Sequence, residues 1–187
     1  FDDPSYRANP VDRCFYCKTS LYGAVARHAG PDATILSGTN TDDLGEYRPG
    51  LDAARQHGVR HPFVEAGIDK AGVRALARSI GLGDVAELPS SPCLSSRVET
   101  GIAIDPATLA TIERVETMIR ITLRPRTVRC RVRSRGFVIE LDPETLAAVQ
   151  NGDHTALNED LRAATGQAPV FAPYRNGSAF LRAESAA

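Results

Sequence analysis

The sequence predicts an α/β domain built on a parallel sheet, followed by a smaller α+β unit. Three observations carry that expectation. A short apolar run at residues 33–37 opens directly into a loop dense in glycine, asparagine and aspartate. Strand-like and helix-like periods alternate around that loop, the pattern of parallel strands joined by crossover helices. Beyond residue 100 the order changes to a helix, two alternating runs around Ser134-Arg135-Gly136, and two further helices. A chain of 187 residues holds one large domain or two small ones, with a sizeable core. We place the boundary near residue 100, giving units of residues 1–100 and 101–187.

Each element has a local reason. Cys14, Cys17, Leu21, Ala24 and Val25 recur at spacings of three and four within residues 12–28. That is an apolar stripe of helical period, stopped by Gly30 and Pro31. Residues 33–37 (ATILS) form a short strand that ends in GTNTDDLGEYRPG. A helix over residues 51–57 follows, and HPFVEAG offers a second strand around Phe63 and Val64. Asp69 caps a helix carrying Val73, Leu76, Ala77 and Ile80, which Gly81 terminates. A polar loop spans residues 88–101. Asp105 is an N-cap and Pro106 a first-turn proline, opening a helix that runs to residue 122. RTVRCRV and FVIEL alternate at a period of two on either side of a tight turn. Asp142-Pro143 starts another helix, residues 155–164 form one more, and a strand near Val170 follows. Residues 184–187 read as a frayed end.

Composition narrows the function classes. Net charge is −1, so bulk electrostatics favours no polyanion. No apolar run approaches a membrane span and no signal-peptide pattern opens the chain, so no membrane partner is expected. Four cysteines are too few for a disulfide scaffold at this length, which points to a reduced, cytoplasmic setting. Residue 1 is Phe, and residues 1–10 read as the middle of a longer chain.

Several residues can carry chemistry. Cys14 and Cys17, at i and i+3, share a helix face beside Arg13 and Lys18. Such a pair suits a metal, an iron–sulfur cluster or redox work, but it also suits a buried stripe. Cys93 lies in SSPCLSSRV, a loop of hydroxyls and prolines rather than apolar neighbours. It is a candidate nucleophile or third ligand, with an incidental loop thiol as the alternative. Cys130 alternates with Val128 and Val132 and belongs to the core face.

Seven arginines fall within residues 120–135, and no acidic residue occurs between Glu116 and Glu140. Arg129, Arg131 and Arg133 share the strand face opposite Cys130, a cationic ledge or a solvated face. An even-numbered turn brings Glu140 close to Arg129 or Arg131. Guanidinium forks suit phosphates and carboxylates. Interleaved aromatics are missing there, so nucleic acid ranks lower as a partner. Glu116 falls in the apolar seam of Leu109, Ile112, Ile119 and Leu123. It either faces a site or snorkels at the seam's edge. Finally, SGTNTDD follows a strand, where open parallel sheets bind ligands. Gly38 there admits close approach, and Asp42 or Asp43 can hold Mg2+ beside phosphates; an ordinary Asx-rich turn is the alternative.

Taken together, NPVDRCFYCK, SGTNTDDLGEYRPGL, SPCLSSR, VRCRVR…IEL and YRNGS resemble the LarE family of ATP-dependent sulfur transferases, over residues 9–178. These are PP-loop ATP pyrophosphatases. The resemblance implies a partial Rossmann-like sheet of the adenine nucleotide alpha hydrolase type, with ATP and Mg2+ near Gly38, Thr39, Asn40, Asp42 and Asp43. It implies adenylation of a carboxylate of pyridinium-3,5-biscarboxylic acid mononucleotide and conversion to the thiocarboxylate, a step in making the nickel-pincer nucleotide of lactate racemase. Some members give up the sulfur of the cysteine matching Cys93. Others hold a 4Fe-4S cluster on cysteines matching Cys14, Cys17 and Cys93. Having all three favours the cluster form here.

By the same resemblance Arg129 and Arg131 bind the substrate phosphate. Arg97, Arg175 and Ser178 join the substrate site, and Glu140 and Glu116 supply catalytic carboxylates. A nucleotide small molecule is the expected partner, in a homo-oligomer. Two departures stand out. The family's SGGxDS loop is missing, so the chain resembles the downstream two-thirds of a member and is not expected to bind ATP normally. The segment QAPVFAPYRNGS is also less acidic than the family pattern. The rival readings are another PP-loop enzyme, such as a tRNA thiolation enzyme, and a non-catalytic zinc or iron–sulfur module.

Overall fold

The computed structural model describes residues 1–88 and 91–181. The expected frayed end at 184–187 lies outside the described residues, as does Ser90 of the cysteine loop. Within them the fold is mixed α/β. The chain forms two compact units: Asp12–Ser91, and Phe1–Val11 together with everything from Pro92 onward.

The chain begins in the second of these with α1 (Pro4–Arg7). Asp3 caps it, its carboxylate accepting the Ser5 amide at 2.8 Å.

The Asp12–Ser91 unit comprises α2 (Arg13–Ala29), α3 (Gly50–Gln56), α4 (Pro62–Glu65), α5 (Lys70–Ser79) and α6 (Gly83–Ala86). Helix α2 buries Tyr22, not the expected stripe: Cys14, Cys17, Leu21, Ala24 and Val25 are all exposed. The reason is its neighbour. Helix α3 presents Gly50 and the fully buried Ala53 and Ala54, small residues that accept the Tyr22 ring and the Lys18 stem. A β-carbon on Gly50 would lie 3.0 Å from Lys18 Cγ.

The second expected strand is displaced. Phe63 and Val64 sit in α4, because Pro62 presets the first helical turn. Parallel pairing falls earlier, as a single bridge between Leu36 and Arg60. The Arg60 amide donates to Ile35 and its carbonyl accepts from Ser37, both at 3.0 Å. Asp69 caps α5 through the Gly72 amide as expected.

The other unit resumes at Pro92. A 3-10 turn (Leu94–Arg97) leads to α7 (Pro106–Leu123), β1 (Val128–Arg133), β2 (Gly136–Leu141), α8 (Pro143–Asn151), α9 (Thr155–Thr165) and β3 (Phe171–Pro173). Asp105 and Asp142 cap α7 and α8 through Thr108 and Thr145. The hairpin turns in two residues, Ser134 and Arg135, so its register is even: Arg129 opposes Glu140 and Cys130 opposes Ile139. Strand β3 pairs parallel to β2, giving the order β1-β2-β3. The core joins Ile112, Val115 and Ile119 of α7 to Val128, Cys130, Ile139 and Leu141 of the sheet and Leu157 and Leu161 of α9. Cys130 is fully buried, and burial with the nearby Glu116 charge pushes its thiol up to about 12. Among the described residues no helix is long and apolar enough to cross a membrane.

Candidate functional site

Cys93 opens the 3-10 turn, its carbonyl accepting from the Ser96 amide at 3.0 Å. Its side chain is exposed. The backbone beneath it is held by Arg97, which is only 4% exposed. Arg97 Nη1 donates to the carbonyls of Pro92 (2.7 Å) and Cys93 (3.1 Å) and to Ser96 Oγ (3.1 Å). Arg97 Nε and Nη2 form a two-pronged pair with Glu116 at 2.9 and 3.0 Å.

Glu116 is fully buried and does not snorkel. It also accepts from the Cys130 amide at 2.9 Å and from Arg120. Burial pushes its pKa up, but the Arg97 and Cys130 hydrogen bonds and the Arg97 and Arg120 charges outweigh that and hold it below the usual carboxylate range. The same side of β1 is bridged by Val98 at Val132, where the Glu99 amide donates to the Val132 carbonyl at 3.0 Å, and Glu116 takes up the Cys130 amide two residues away. With both oxygens occupied by the protein, Glu116 is placed to hold Arg97 and the Cys93 backbone.

The arginine face of the hairpin is not a solvated ledge. Arg131 is 4% exposed because residues 96 and 175 close over it. Its Nε donates to Glu140 at 2.9 Å, and its Nη1 and Nη2 donate to the carbonyls of Ser96 and Arg175, each at 3.1 Å. Glu140 is also 4% exposed and accepts from Arg133 (3.1 Å) and from the Ser178 hydroxyl (2.6 Å). Arg133 in turn pairs with Glu99 at 3.0 Å.

Arg129 is different. It is half-buried, with its guanidinium 5.8 Å from the Tyr174 ring centroid and Nη1 on the Val128 carbonyl at 2.7 Å. Burial and then the Arg97 charge hold its pKa below the ordinary arginine value. Arg175 is exposed. One network thus joins Cys93, Arg97, Glu116, Arg131, Glu140 and Ser178 through the backbone of residues 92–97. The Cys93 thiol is exposed beside this network.

The remaining expected residues belong to the Asp12–Ser91 unit. Cys14 and Cys17 lie on one exposed face of α2, so two of the three expected cluster donors are presented side by side. A β-carbon on Gly38 would meet nothing within 4 Å, which leaves room for close approach. Ser37 Oγ lies 2.9 Å from Thr39 Oγ1 and 2.6 Å from His61 Nδ1. Asn40 and Asp43 form a reciprocal cap of one 3-10 turn. Asp43 also pairs with Arg48 at 2.8 Å, and Asp42 accepts the Lys70 amide at 3.2 Å. These carboxylates thus serve local backbone and charge. Within neither unit do the described residues gather three His, Cys, Asp or Glu side chains.

Sequence reasoning missed Tyr6, Asn9 and Ser95, which brace the Cys93 segment. Their partners lie some ninety positions away, and no local period marks them. It also missed the Arg133–Glu99 pair, for the same reason.

No family model matches the chain. Three proteins are similar to it. An uncharacterized protein of Synechocystis sp. is 37% identical over 147 residues, 77% of this chain and 54% of that protein. The pyridinium-3,5-bisthiocarboxylic acid mononucleotide synthase of Lactiplantibacillus plantarum is 32% identical over 160 residues, 84% of this chain and 55% of that protein. An uncharacterized protein of Methanocaldococcus jannaschii is 28% identical over 138 residues, 73% of this chain and 53% of that protein. The chain is therefore a distant relative of that synthase, and it spans about half the length of the curated relatives it matches.

Proposed function

We propose that this protein is an ATP-dependent sulfur transferase that converts an activated carboxylate of pyridinium-3,5-biscarboxylic acid mononucleotide to the thiocarboxylate. The observation that carries the reading is an exposed thiol, Cys93, on a backbone clamped by a buried Arg97–Glu116 pair. The printed name of the Lactiplantibacillus relative supports the substrate class. Arg129 receives the substrate phosphate, with Arg175 at the outer rim. Arg131, Glu140 and Ser178 hold the surface on which it rests.

In the sacrificial form, Cys93 Sγ attacks the acyl carbon and AMP leaves, giving a thioester. Loss of the Cys93 Cα proton to a base then breaks the Cβ–Sγ bond. The product is a thiocarboxylate, and residue 93 becomes dehydroalanine. In the cluster form, Cys14, Cys17 and Cys93 would hold a 4Fe-4S centre, which would supply the sulfur. ATP and Mg2+ would activate the carboxylate, and Gly38, Thr39, Asn40, Asp42 and Asp43 would lie near the nucleotide.

Anaerobic purification with iron, sulfide, zinc and intact mass measured together tests this reading. Iron and sulfide at cluster stoichiometry support the cluster form. Dehydroalanine at position 93 after turnover supports the sacrificial form. Bound zinc with no sulfur transfer refutes both and favours a metal-binding module.

A further inference from the structure

The N-terminal segment reaches the Cys93 segment through side chains that the proposed chemistry leaves unassigned. The Tyr6 hydroxyl lies 2.6 Å from Ser95 Oγ, and Ser95 is 4% exposed. Asn9 is 1% exposed and adopts a left-handed backbone, φ 53°. Asparagine tolerates that conformation better than most residues with a β-carbon. Its Nδ2 points to the carbonyls of Glu99 (2.8 Å), Ile102 (2.9 Å) and Val98 (3.4 Å). Its own carbonyl accepts the Gly101 amide at 2.9 Å, and the Arg7 carbonyl accepts the Ile104 amide at 2.8 Å.

Arg97 holds the start of the same segment through the Pro92 and Cys93 carbonyls. The stretch that carries the thiol is therefore gripped at both ends, by Arg97 and by residues 6–9. Neither grip touches the thiol itself.

Resting on the sulfur-transfer reading above, we infer that Tyr6 and Asn9 are positioning residues that fix the Cys93 segment in its reactive geometry. A displacement of about 1 Å by a change far from the chemistry can cost on the order of a hundredfold in rate. The loss should fall on the maximal rate constant rather than on half-saturating substrate, since neither side chain is placed to touch the substrate.

The test uses Tyr6→Phe, which removes only the hydroxyl, and Asn9→Gly, which keeps the left-handed backbone while deleting the donor. Both are expected to keep a cooperative melting transition. Amide exchange should accelerate across residues 93–102 and stay unchanged in β1 and β2. In sulfur-transfer assays the maximal rate constant, kcat for the cluster form or the single-turnover rate constant for the sacrificial form, should fall about tenfold or more at constant half-saturating substrate. A folded variant with parental exchange at residues 93–102, or with a parental maximal rate constant, overturns the inference. If the parent protein itself transfers no sulfur, the activity reading fails, while the exchange comparison still decides whether these residues fix the segment.

Discussion

The two units hold their charged groups in opposite ways. In the Asp12–Ser91 unit the ion pairs are short-range and exposed. Asp52 pairs with Arg55, Glu46 with Arg48, Glu65 with Arg60 and Arg78 with Glu87, never more than nine positions apart. Both partners of the Asp52 pair are more than half exposed. In the other unit one pair, Arg126–Glu144, is exposed, but Arg97–Glu116 and Arg131–Glu140 are buried. Glu116 is nineteen positions from Arg97, and the Arg175 carbonyl is forty-four from Arg131. Exposed pairs are weak because water competes for both charges. A buried charge is far costlier to leave alone, so the surrounding backbone is committed to it. The unit that presents Cys93 is the one whose charges fix the backbone.

The comparison can be broken in graded steps. The largest effect expected is functional: Cys93→Ala abolishes sulfur transfer and leaves the melting temperature near that of the parent, because the side chain is exposed. Parental turnover in that variant would sink both donor schemes.

Glu116→Ala should come next. It strands Arg97 in the interior and leaves the Cys130 amide without its acceptor, so a loss of about 3–5 kcal/mol is expected in denaturant titration. The pair also has a pH signature. Glu116 titrates lower in the folded state than in the unfolded chain. Its contribution is therefore complete above the unfolded carboxylate range and is lost as pH falls through the depressed folded value. Stability of the parent should drop more steeply in acid than that of Glu116→Gln.

A smaller step separates two neighbouring arginines. Arg129→Ala should weaken mononucleotide binding by about 1.5–3 kcal/mol with little change in stability. Arg131→Ala should chiefly destabilise, because it removes one of the donors to buried Glu140 and the donor to the Ser96 and Arg175 carbonyls. Calorimetry beside thermal melts distinguishes these, and equal binding losses from stable variants would contradict the division. The smallest effect belongs to Asp52→Ala, expected to stay within about 0.5 kcal/mol.

The same contrast explains what could be read from sequence. Caps at Asp69, Asp105 and Asp142 act over three residues, and the hairpin is marked by alternation on either side of Ser134-Arg135-Gly136. These are local and were legible. Glu116 in an apolar seam announced an anomaly, but its partner Arg97 lies on another element, so pattern alone left the outcome open. Periodicity gave helix α2 correctly and its buried face incorrectly, since the face is chosen by Ala53, Ala54 and Gly50 of α3. Arg131 sits on the strand face that alternation assigns to solvent, yet the chain at residues 96 and 175 returns to cover it.

The chain leaves one unit after Val11 and re-enters it at Pro92. Tyr6 and Asn9 must therefore wait for partners 89 positions further on before their hydrogen bonds can form. Closing so long an intervening stretch costs chain entropy before any contact rewards it, which makes such joins slow and late in folding. During synthesis the first eleven residues emerge well before the segment that carries Cys93. The Cys93 segment thus acquires this backbone support only after the intervening unit has been made.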